Sequence, residues 1–258
     1  MQTVKIKEII KETKNIKTFR LDLDLPALPG QYVMLWVPGY DEKPLSISYP
    51  GEDVGLTILK KGPTTTRLHE MKAGDVLGVR GPFGRALKIS GKKIIAVGGG
   101  VGMAPIAPLI EKAISKGVEA TVIVGAVTKR ELLFVDRVEK AGAKVIITTD
   151  DGTCGLKCYT THALEQELKA EKYDECFTCG PEVMMYMVLG IAKKHKVPTQ
   201  ASMERYFKCG IGICGACVMD DGGLRVCKEG PNFRDVEIEK FKDFGKYTRD
   251  ASGKKIYW

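Results

Sequence analysis

The chain contains the run Lys92-Lys-Ile-Ile-Ala-Val97, followed at once by Gly98-Gly-Gly-Val-Gly-Met-Ala-Pro105. The first part is a short apolar stretch typical of a buried strand, and Ala104–Lys116 has helical spacing. Glycines in such a turn let the backbone approach a phosphate, and the helix N-terminus adds unpaired N–H donors. The run therefore predicts a strand, a candidate phosphate-binding turn and a helix. The turn comprises Gly98, Gly99, Gly100, Val101, Gly102, Met103, Ala104 and Pro105.

The glycine run differs from the usual dinucleotide fingerprint. Pro105 stands at its third glycine position, and the next strand ends in Val127-Thr-Lys-Arg130 without an acidic residue for ribose. Taken alone, the run could also be a tight turn that binds nothing. Lys129 and Arg130 suit a 2′-phosphate or a solvated loop equally well, so the sequence leaves the choice between NAD and NADP open.

Strands and helices alternate after the glycine run. Further strands are predicted at Ala120–Val127, Lys144–Thr149, Glu175–Thr178 and Thr199–Ser202. Further helices are predicted at Glu131–Ala141, Thr161–Lys172 and Glu182–His195. Such alternation is typical of a parallel sheet with helices on its faces. We expect a Rossmann-like α/β domain over residues 91–202.

The first 90 residues have a different pattern. Short β-rich runs occur at Thr3–Glu12, Ile16–Leu23, Gln31–Val37, Leu45–Tyr49 and Gly55–Leu59, with one short helix expected at Thr64–Met71. Proline- and glycine-containing turns separate the strands, which is typical of a small antiparallel barrel or sandwich. We expect a β-barrel domain over residues 1–90, so the chain combines an all-β part with an α/β part.

Composition excludes several classes. The 258 residues suit two domains and a small appendage. The 40 Lys and Arg outnumber the 32 Asp and Glu by 8, but the charge is dispersed without interleaved aromatic residues, so we expect no nucleic-acid partner. The longest uncharged stretch, Ile94–Ile110, is interrupted by glycine and proline, so no membrane helix is predicted. The N-terminus has no apolar signal segment, so we expect a cytoplasmic protein.

Eight cysteines all lie in the C-terminal half, and the last four form the pattern Cys209-x4-Cys214-x2-Cys217-x9-Cys227. The first three have the spacing with which plant-type ferredoxins bind a [2Fe–2S] cluster. Intervening glycines let such a loop curl around the cluster. Zinc is the alternative, although zinc sites prefer paired C-x2-C knuckles. We expect a small [2Fe–2S] module over residues 203–258, with zinc or no metal as the competing interpretations.

Three further motifs are weak in isolation. Lys43-Pro-Leu-Ser46 and the loop Lys60–Thr66 could be a turn and a basic loop. Cys179-Gly-Pro181 follows a predicted parallel strand, where open α/β sheets bind ligands. Cys154-x3-Cys158 and Cys176-x2-Cys179 have two interpretations, a second metal site or incidental buried thiols, and we favour the latter.

Several of these motifs together resemble the ferredoxin–NADP reductase superfamily. They are Pro29-Gly-Gln-Tyr-Val33, Lys43–Ser46, Gly81-Pro-Phe-Gly84, Gly98–Pro105 and Cys179-Gly-Pro181. The cysteine module, with Arg225-Val-Cys-Lys-Glu-Gly-Pro231, is similar to one branch, the electron-transfer subunits of FAD- and iron–sulfur-containing dihydroorotate dehydrogenases. The resemblance covers nearly the whole chain.

This resemblance implies site residues. Lys43 stands where the family usually has arginine, near the FAD pyrophosphate, and Ser46 lies near the flavin N5. The implied FAD site is completed by Pro44, Leu45, Ile58, Leu59, Lys60, Thr65 and Thr66. The glycine turn faces the pyrophosphate of NAD or NADP, and Cys179, Gly180 and Pro181 lie by the nicotinamide ring. The implied cluster ligands are Cys209, Cys214, Cys217 and Cys227.

It also implies a partner and a pathway. An FMN-containing catalytic subunit would oxidise dihydroorotate in pyrimidine biosynthesis, and electrons would pass through the cluster and FAD to NAD⁺. We expect a heterotetramer with two copies of each chain. The nearer alternative is the small subunit of an NADH-dependent ferredoxin:NADP reductase. The more distant one is a regulatory module with a zinc site and a nucleotide pocket.

Overall fold

The computed structural model describes residues 1–258, and its N-terminal part is a closed antiparallel barrel in the order β1-β2-β5-β4-β3-β6. The strands are β1 (Gln2–Lys11), β2 (Ile16–Leu21), β3 (Tyr32–Trp36), β4 (Glu42–Tyr49), β5 (Gly55–Leu59) and β6 (Val76–Phe83). Inward-facing apolar side chains such as Phe19, Leu35 and Leu56 fill the barrel. Helix α1 (Pro63–Glu70) lies between β5 and β6 in sequence and buries Leu68 in the same core. The predicted barrel is confirmed.

The second part is a six-stranded sheet in the order β12-β11-β10-β7-β8-β9. Its strands are β7 (Lys93–Gly99), β8 (Glu119–Ala126), β9 (Lys144–Thr149), β10 (Glu175–Cys179), β11 (Thr199–Ser202) and β12 (Asn232–Arg234). The first five pair in parallel, as predicted, while β12 pairs antiparallel with β11. The helices between them are α2 (Met103–Ser115), α3 (Val135–Ala141), α4 (Thr160–Ala170) and α5 (Glu182–Lys194).

The structure differs from the sequence-based predictions at three places. Val76–Phe83 was not predicted as a strand, yet β6 closes the barrel by pairing with β1 and β3. The helix predicted at Glu131–Ala141 begins only at Val135, because Leu133 and Phe134 turn inward to pack in the α/β core and Phe134 adopts a left-handed backbone with φ of 61°. Thr199–Ser202 is the last strand predicted from the sequence, but Asn232–Arg234 of the C-terminal module forms β12 and extends the edge of the sheet.

The C-terminal module packs into both other parts. It contains α6 (Asp235–Ile238) and the hairpin of β13 (Tyr247–Arg249) and β14 (Lys255–Tyr257). Its buried Met219, Val226 and Phe233 share one apolar cluster with Tyr32 and Met34 of the barrel. The module is therefore seated on the barrel. No helix has both the length and the apolar character needed to cross a bilayer.

Candidate cofactor sites

The four cysteines of the C-terminal module form two pairs of thiols. Cys209 lies beside Cys214, and Cys217 lies beside Cys227. No three Cys, His, Asp or Glu side chains are grouped so that they could share one metal ion. A structural zinc ion needs four ligands around one centre, whereas a two-iron cluster takes two on each iron. The donor set therefore fits a [2Fe–2S] cluster better than zinc.

Backbone N–H groups favour the thiolate form of Cys209. The amides of Ile213 and Cys214 lie 3.4 and 3.5 Å from its Sγ. Burial acts to raise the pKa of Cys209, but these amides and that of Ile211 lower it to about 6. Burial raises the pKa of Cys227 to about 12, so this thiol ionises at neutral pH only beside a cation. The first and last cysteines of the module thus have thiol pKa values shifted in opposite directions.

The barrel supports the cluster loop, defined here as residues 209–217. Arg80 of β6 donates a hydrogen bond of 3.1 Å to the carbonyl oxygen of Cys209 and forms a bidentate ion pair with Glu42 of β4. Met34 of β3 lies against Gly210, where a Cβ atom would come within 2.6 Å of Met34 Cγ. Gly210 also has a φ of 70°, so both the turn and the contact require glycine here.

One side of the cluster loop is open to solvent. Cys217 and Cys227 are buried, whereas Cys214 is exposed. The apolar side chains of Ile211 and Ile213 are 40% and 80% exposed. An exposed apolar pair beside a surface thiol leaves this side accessible to another protein.

The glycine turn lies against the end of β10. Cys179 pairs with Gly98 in the parallel register, and a Cβ atom at Gly102 would clash with the carbonyl oxygen of Cys179. Gly100 has a φ of 53° and faces open space, so the backbone there is accessible to a ligand. Gly180 packs on Gly99 at the same carboxyl edge. The structure thus brings the glycine turn and the Cys179–Pro181 segment together, and the cradle fits a dinucleotide pyrophosphate.

Val101, Met103, Ala104 and Pro105 support the backbone of the glycine turn from inside the domain. Met103, Ala104 and Pro105 form the first turn of α2 and are buried in or beside the α/β core. Val101 is half-buried. These four residues hold the backbone of the turn rather than line open space.

The predicted flavin motif forms half of β4. Lys43, Pro44, Leu45 and Ser46 are all partly exposed. Lys43 Nζ lies 2.7 Å from Asp41 and 6.0 Å from the ring centre of Tyr206. A cation and a hydroxyl on an accessible strand fit a flavin dinucleotide. Tyr206 was not predicted from the sequence, because its contact with Lys43 exists only in the fold.

The second half of the predicted flavin site surrounds the start of α1. Ile58 is buried in the barrel core and Leu59 is half-buried, while Lys60 is exposed. Thr65 Oγ1 accepts hydrogen bonds from the amides of Lys61 and Gly62, and Thr66 is exposed. Ile58 therefore has a packing role, whereas Lys60 and Thr66 are accessible.

The predicted flavin site and the predicted dinucleotide site both adjoin the interface between the barrel and the α/β domain. Helix α2 packs against β4, and the glycine turn approaches β5. Arg137 of α3 strengthens this interface: its guanidinium lies 3.7 Å from the ring centre of Tyr49 and donates to the Ser48 carbonyl at 2.9 Å. Sequence reasoning missed Arg137, since a single arginine on a helix gives no signal of a partner in another domain.

The other four thiols and a polar cavity lie apart from the cluster loop. Burial raises the pKa of both Cys176 and Cys179 to about 12, so both remain protonated at neutral pH. Cys154 and Cys158 are half-buried. A polar cavity of about 710 Å³ lies at the opposite, amino-terminal edge of the sheet, where Asp174, Glu175 and their neighbours line it, and it contains none of the predicted site residues.

Comparison with known proteins gives concordant matches. Residues 204–239 match the model of the iron–sulfur cluster binding domain of dihydroorotate dehydrogenase B. The chain is 50% identical to a probable dihydroorotate dehydrogenase B (NAD(+)), electron transfer subunit, of Methanocaldococcus jannaschii, over 98% of this chain and 97% of the relative. It is 49% identical to the protein of the same description from Methanocella arvoryzae, over 97% and 96%.

Solved structures agree on the fold. A structure of an NADH-dependent reduced ferredoxin-NADP oxidoreductase, described in work on flavin-based electron bifurcation, superposes with a TM-score of 0.83. It is 27% identical and covers 95% of this chain and 94% of its own. The ferredoxin reductase of carbazole 1,9a-dioxygenase has a TM-score of 0.66 at 18% identity, covering 76% of this chain and 65% of its own, and shows the fold alone.

Proposed function

This chain belongs to the family of dihydroorotate dehydrogenase B electron transfer subunits, and we propose that it passes electrons from a dihydroorotate-oxidising catalytic subunit to NAD⁺. The route uses a [2Fe–2S] cluster and FAD, both held by this chain. The catalytic subunit contributes FMN, and the complex contains two copies of each chain. Residues 1–90 bind FAD, 91–202 bind the nicotinamide dinucleotide and 203–258 bind the cluster.

The proposed ligands follow the sites described above. Cys209 and Cys214 would hold one iron, and Cys217 and Cys227 would hold the other. The residues proposed for FAD are Lys43, Pro44, Leu45, Ser46, Ile58, Leu59, Lys60, Thr65 and Thr66. Those proposed for the nicotinamide dinucleotide are residues 98–105 and 179–181. Bound FAD supplies the exchange between two-electron nicotinamide chemistry and one-electron cluster chemistry, while the protein supplies position and electrostatics.

The chain's own groups have defined tasks in this scheme. The backbone of the glycine turn faces the dinucleotide pyrophosphate, and the N-terminus of α2 directs its N–H groups there. Lys43 offers a single positive charge to the FAD pyrophosphate, and this charge is shared with Asp41. Cys179 presents a neutral thiol beside the nicotinamide ring, because burial keeps its proton in place.

One observation supports an electron-transfer role above all: the cluster loop is packed on the barrel on one side and open on the other. Arg80 and Tyr32 attach the loop to the barrel face that also includes Ser46. The open side exposes Ile213 and Cys214. Such a loop is placed to connect a cofactor inside the chain with one brought by a partner, and exposed apolar surface of this kind marks an interface.

The alternative function has one specific observation in its favour. The solved structure with a TM-score of 0.83 comes from an NADH-dependent reduced ferredoxin-NADP oxidoreductase, which has the same layout over nearly the whole chain. The identity of 27% to that chain is lower than the 50% to the M. jannaschii electron transfer subunit, so we favour the dihydroorotate dehydrogenase assignment.

Identification of the partner separates the two functions. A tagged chain purified from its native cell should bring down an FMN protein that oxidises dihydroorotate. Recovery of a larger flavoprotein with [4Fe–4S] clusters would instead support the ferredoxin reductase function. A colourless preparation containing zinc would contradict both.

A further inference from the structure

A single side chain, Tyr32, contacts both ends of the segment from Cys209 to Cys227, which contains all four proposed ligands. Its hydroxyl lies 2.9 Å from the carbonyl oxygen of Gly210, which follows the first ligand, and 2.7 Å from that of Cys227, the last ligand. Gly210 adjoins Cys209 of one cysteine pair, and Cys227 belongs to the other pair. A tyrosine hydroxyl has one proton, so the two oxygens share one donor.

The surroundings of Tyr32 fix this donor in place. The residue is 2% exposed, and its ring lies 5.3 Å from Phe207 and 6.0 Å from Phe83 between ring centres. The packed ring therefore holds the hydroxyl in place between the two carbonyl oxygens.

The backbone of Tyr32 connects this donor to the proposed flavin site. Tyr32 lies directly opposite Ser46 in the antiparallel register of β3 and β4. Directly opposed residues in such a pair have side chains on the same face of the sheet. Ser46 is the residue proposed to lie near the flavin N5. The pair of Ser46 and Tyr32 therefore connects the proposed flavin position with the segment from Cys209 to Cys227.

We propose that Tyr32 is a positioning residue. It holds both ends of the segment from Cys209 to Cys227 against β3, beside the proposed flavin-binding strand β4, and it raises the reduction potential of the cluster. The inference rests on the proposed function, because it takes the four cysteines as cluster ligands. The positive end of the O–H dipole points at carbonyl oxygens next to ligand sulfurs. Removing it leaves more uncompensated negative charge beside the cluster, which disfavours the reduced form.

The test is the variant Tyr32→Phe, which keeps the ring and removes only the hydroxyl. Tyr40→Phe is the matched control, since Tyr40 is exposed on the same barrel and its hydroxyl makes no hydrogen bond. In the purified holoprotein, we expect Tyr32→Phe to release iron to a chelator about tenfold faster, which corresponds to about 1.4 kcal/mol. We also expect a lower cluster midpoint potential in a dye-coupled anaerobic titration. Tyr40→Phe should match the wild type in both measurements.

Iron release and potential equal to the wild type in Tyr32→Phe would overturn the inference. If that variant does not assemble a cluster, replacing Tyr32 by a ring-fluorinated tyrosine provides the second measurement. This side chain keeps its shape and is a stronger donor, so the potential should rise, and an unchanged potential would again contradict the inference. A wild-type chain that binds no iron would refute the proposed function itself, so the two failures are distinguishable.

Discussion

Arg205 and Glu182 form an ion pair in which both side chains are almost completely buried, 4% and 6% exposed. Arg205 precedes the cluster loop, and Glu182 begins the helix that follows the Cys179–Pro181 segment. Asp243 joins them at 3.1 Å from Arg205, and its other carboxylate oxygen has no hydrogen-bond partner. One arginine thus ties the cluster module to the dinucleotide domain.

We expect Arg205→Met to lower the free energy of unfolding by about 3–5 kcal/mol, because it leaves two buried carboxylates without a cation. Urea unfolding measured by circular dichroism gives this value. The control is Lys193→Met, which removes the exposed ion pair with Glu239 and should cost under about 1 kcal/mol. Equal losses of unfolding free energy in the two variants would show that the buried group of Arg205, Glu182 and Asp243 stabilises the fold no more than an exposed ion pair does.

Cys214→Ser should lose most of the iron and sulfide while FAD remains bound. Cys214 is one of the two thiols proposed for the first iron, and the flavin residues lie on other elements. Iron, sulfide and flavin assays on the purified variant measure the effect. Cys154→Ser, which changes a thiol outside the module, should keep its cluster. Full iron content in Cys214→Ser would refute the ligand assignment.

Lys43→Arg should tighten FAD binding by about tenfold. The planar guanidinium can donate two hydrogen bonds to a pyrophosphate, and charge-assisted bonds contribute about 1.5–3 kcal/mol. Fluorescence of FAD released on dilution reports the dissociation constant. Lys7→Arg, at a barrel lysine paired with Asp53, serves as the control. Unchanged or faster loss of FAD in Lys43→Arg would show that Lys43 does not contact the pyrophosphate.

Cys176 and Cys179 should stay protonated and resist alkylation in the folded chain at pH 8. Burial raises the pKa of each thiol to about 12, so the folded chain holds both protons while an unfolded thiol ionises near its ordinary value of 9. Each group's contribution to stability is therefore complete below pH 9 and is lost as the pH rises towards 12. Alkylation followed by peptide mass spectrometry should leave both thiols unmodified at pH 8 in the folded chain and modify them in denaturant. Rapid alkylation of either at pH 8 without denaturant would contradict the raised pKa of that thiol.

The sequence predicted the features that depend on local pattern. The apolar stretch before Gly98 and the periodic helices after it gave the parallel sheet, and the cysteine spacing gave the cluster segment. Strand β6 was not predicted, because Gly78 and Gly81 are typical of turns. Gly78 is a glycine for a reason outside its own segment: a Cβ atom there would come within 2.9 Å of the Trp36 side chain on β3.

Contacts between distant residues could not be predicted in this way. Tyr32 was recognised only as part of the Pro29–Val33 motif, while its hydroxyl partners lie 178 and 195 positions away. The same holds for Arg205, which meets Glu182 and Asp243 only once the module packs on the sheet. Such contacts depend on tertiary structure, and no periodicity or spacing in one sequence records them.

Electron transfer from dihydroorotate to NAD⁺ tests the central claim most directly. The purified chain, loaded with FAD and cluster, should oxidise NADH with an artificial acceptor but form no NADH from dihydroorotate and NAD⁺. Addition of the FMN-bearing catalytic subunit should start NADH formation at 340 nm, and the Cys214→Ser variant should fail to support it. NADH formation by the chain alone, or equal rates with wild type and Cys214→Ser in the complex, would contradict the account.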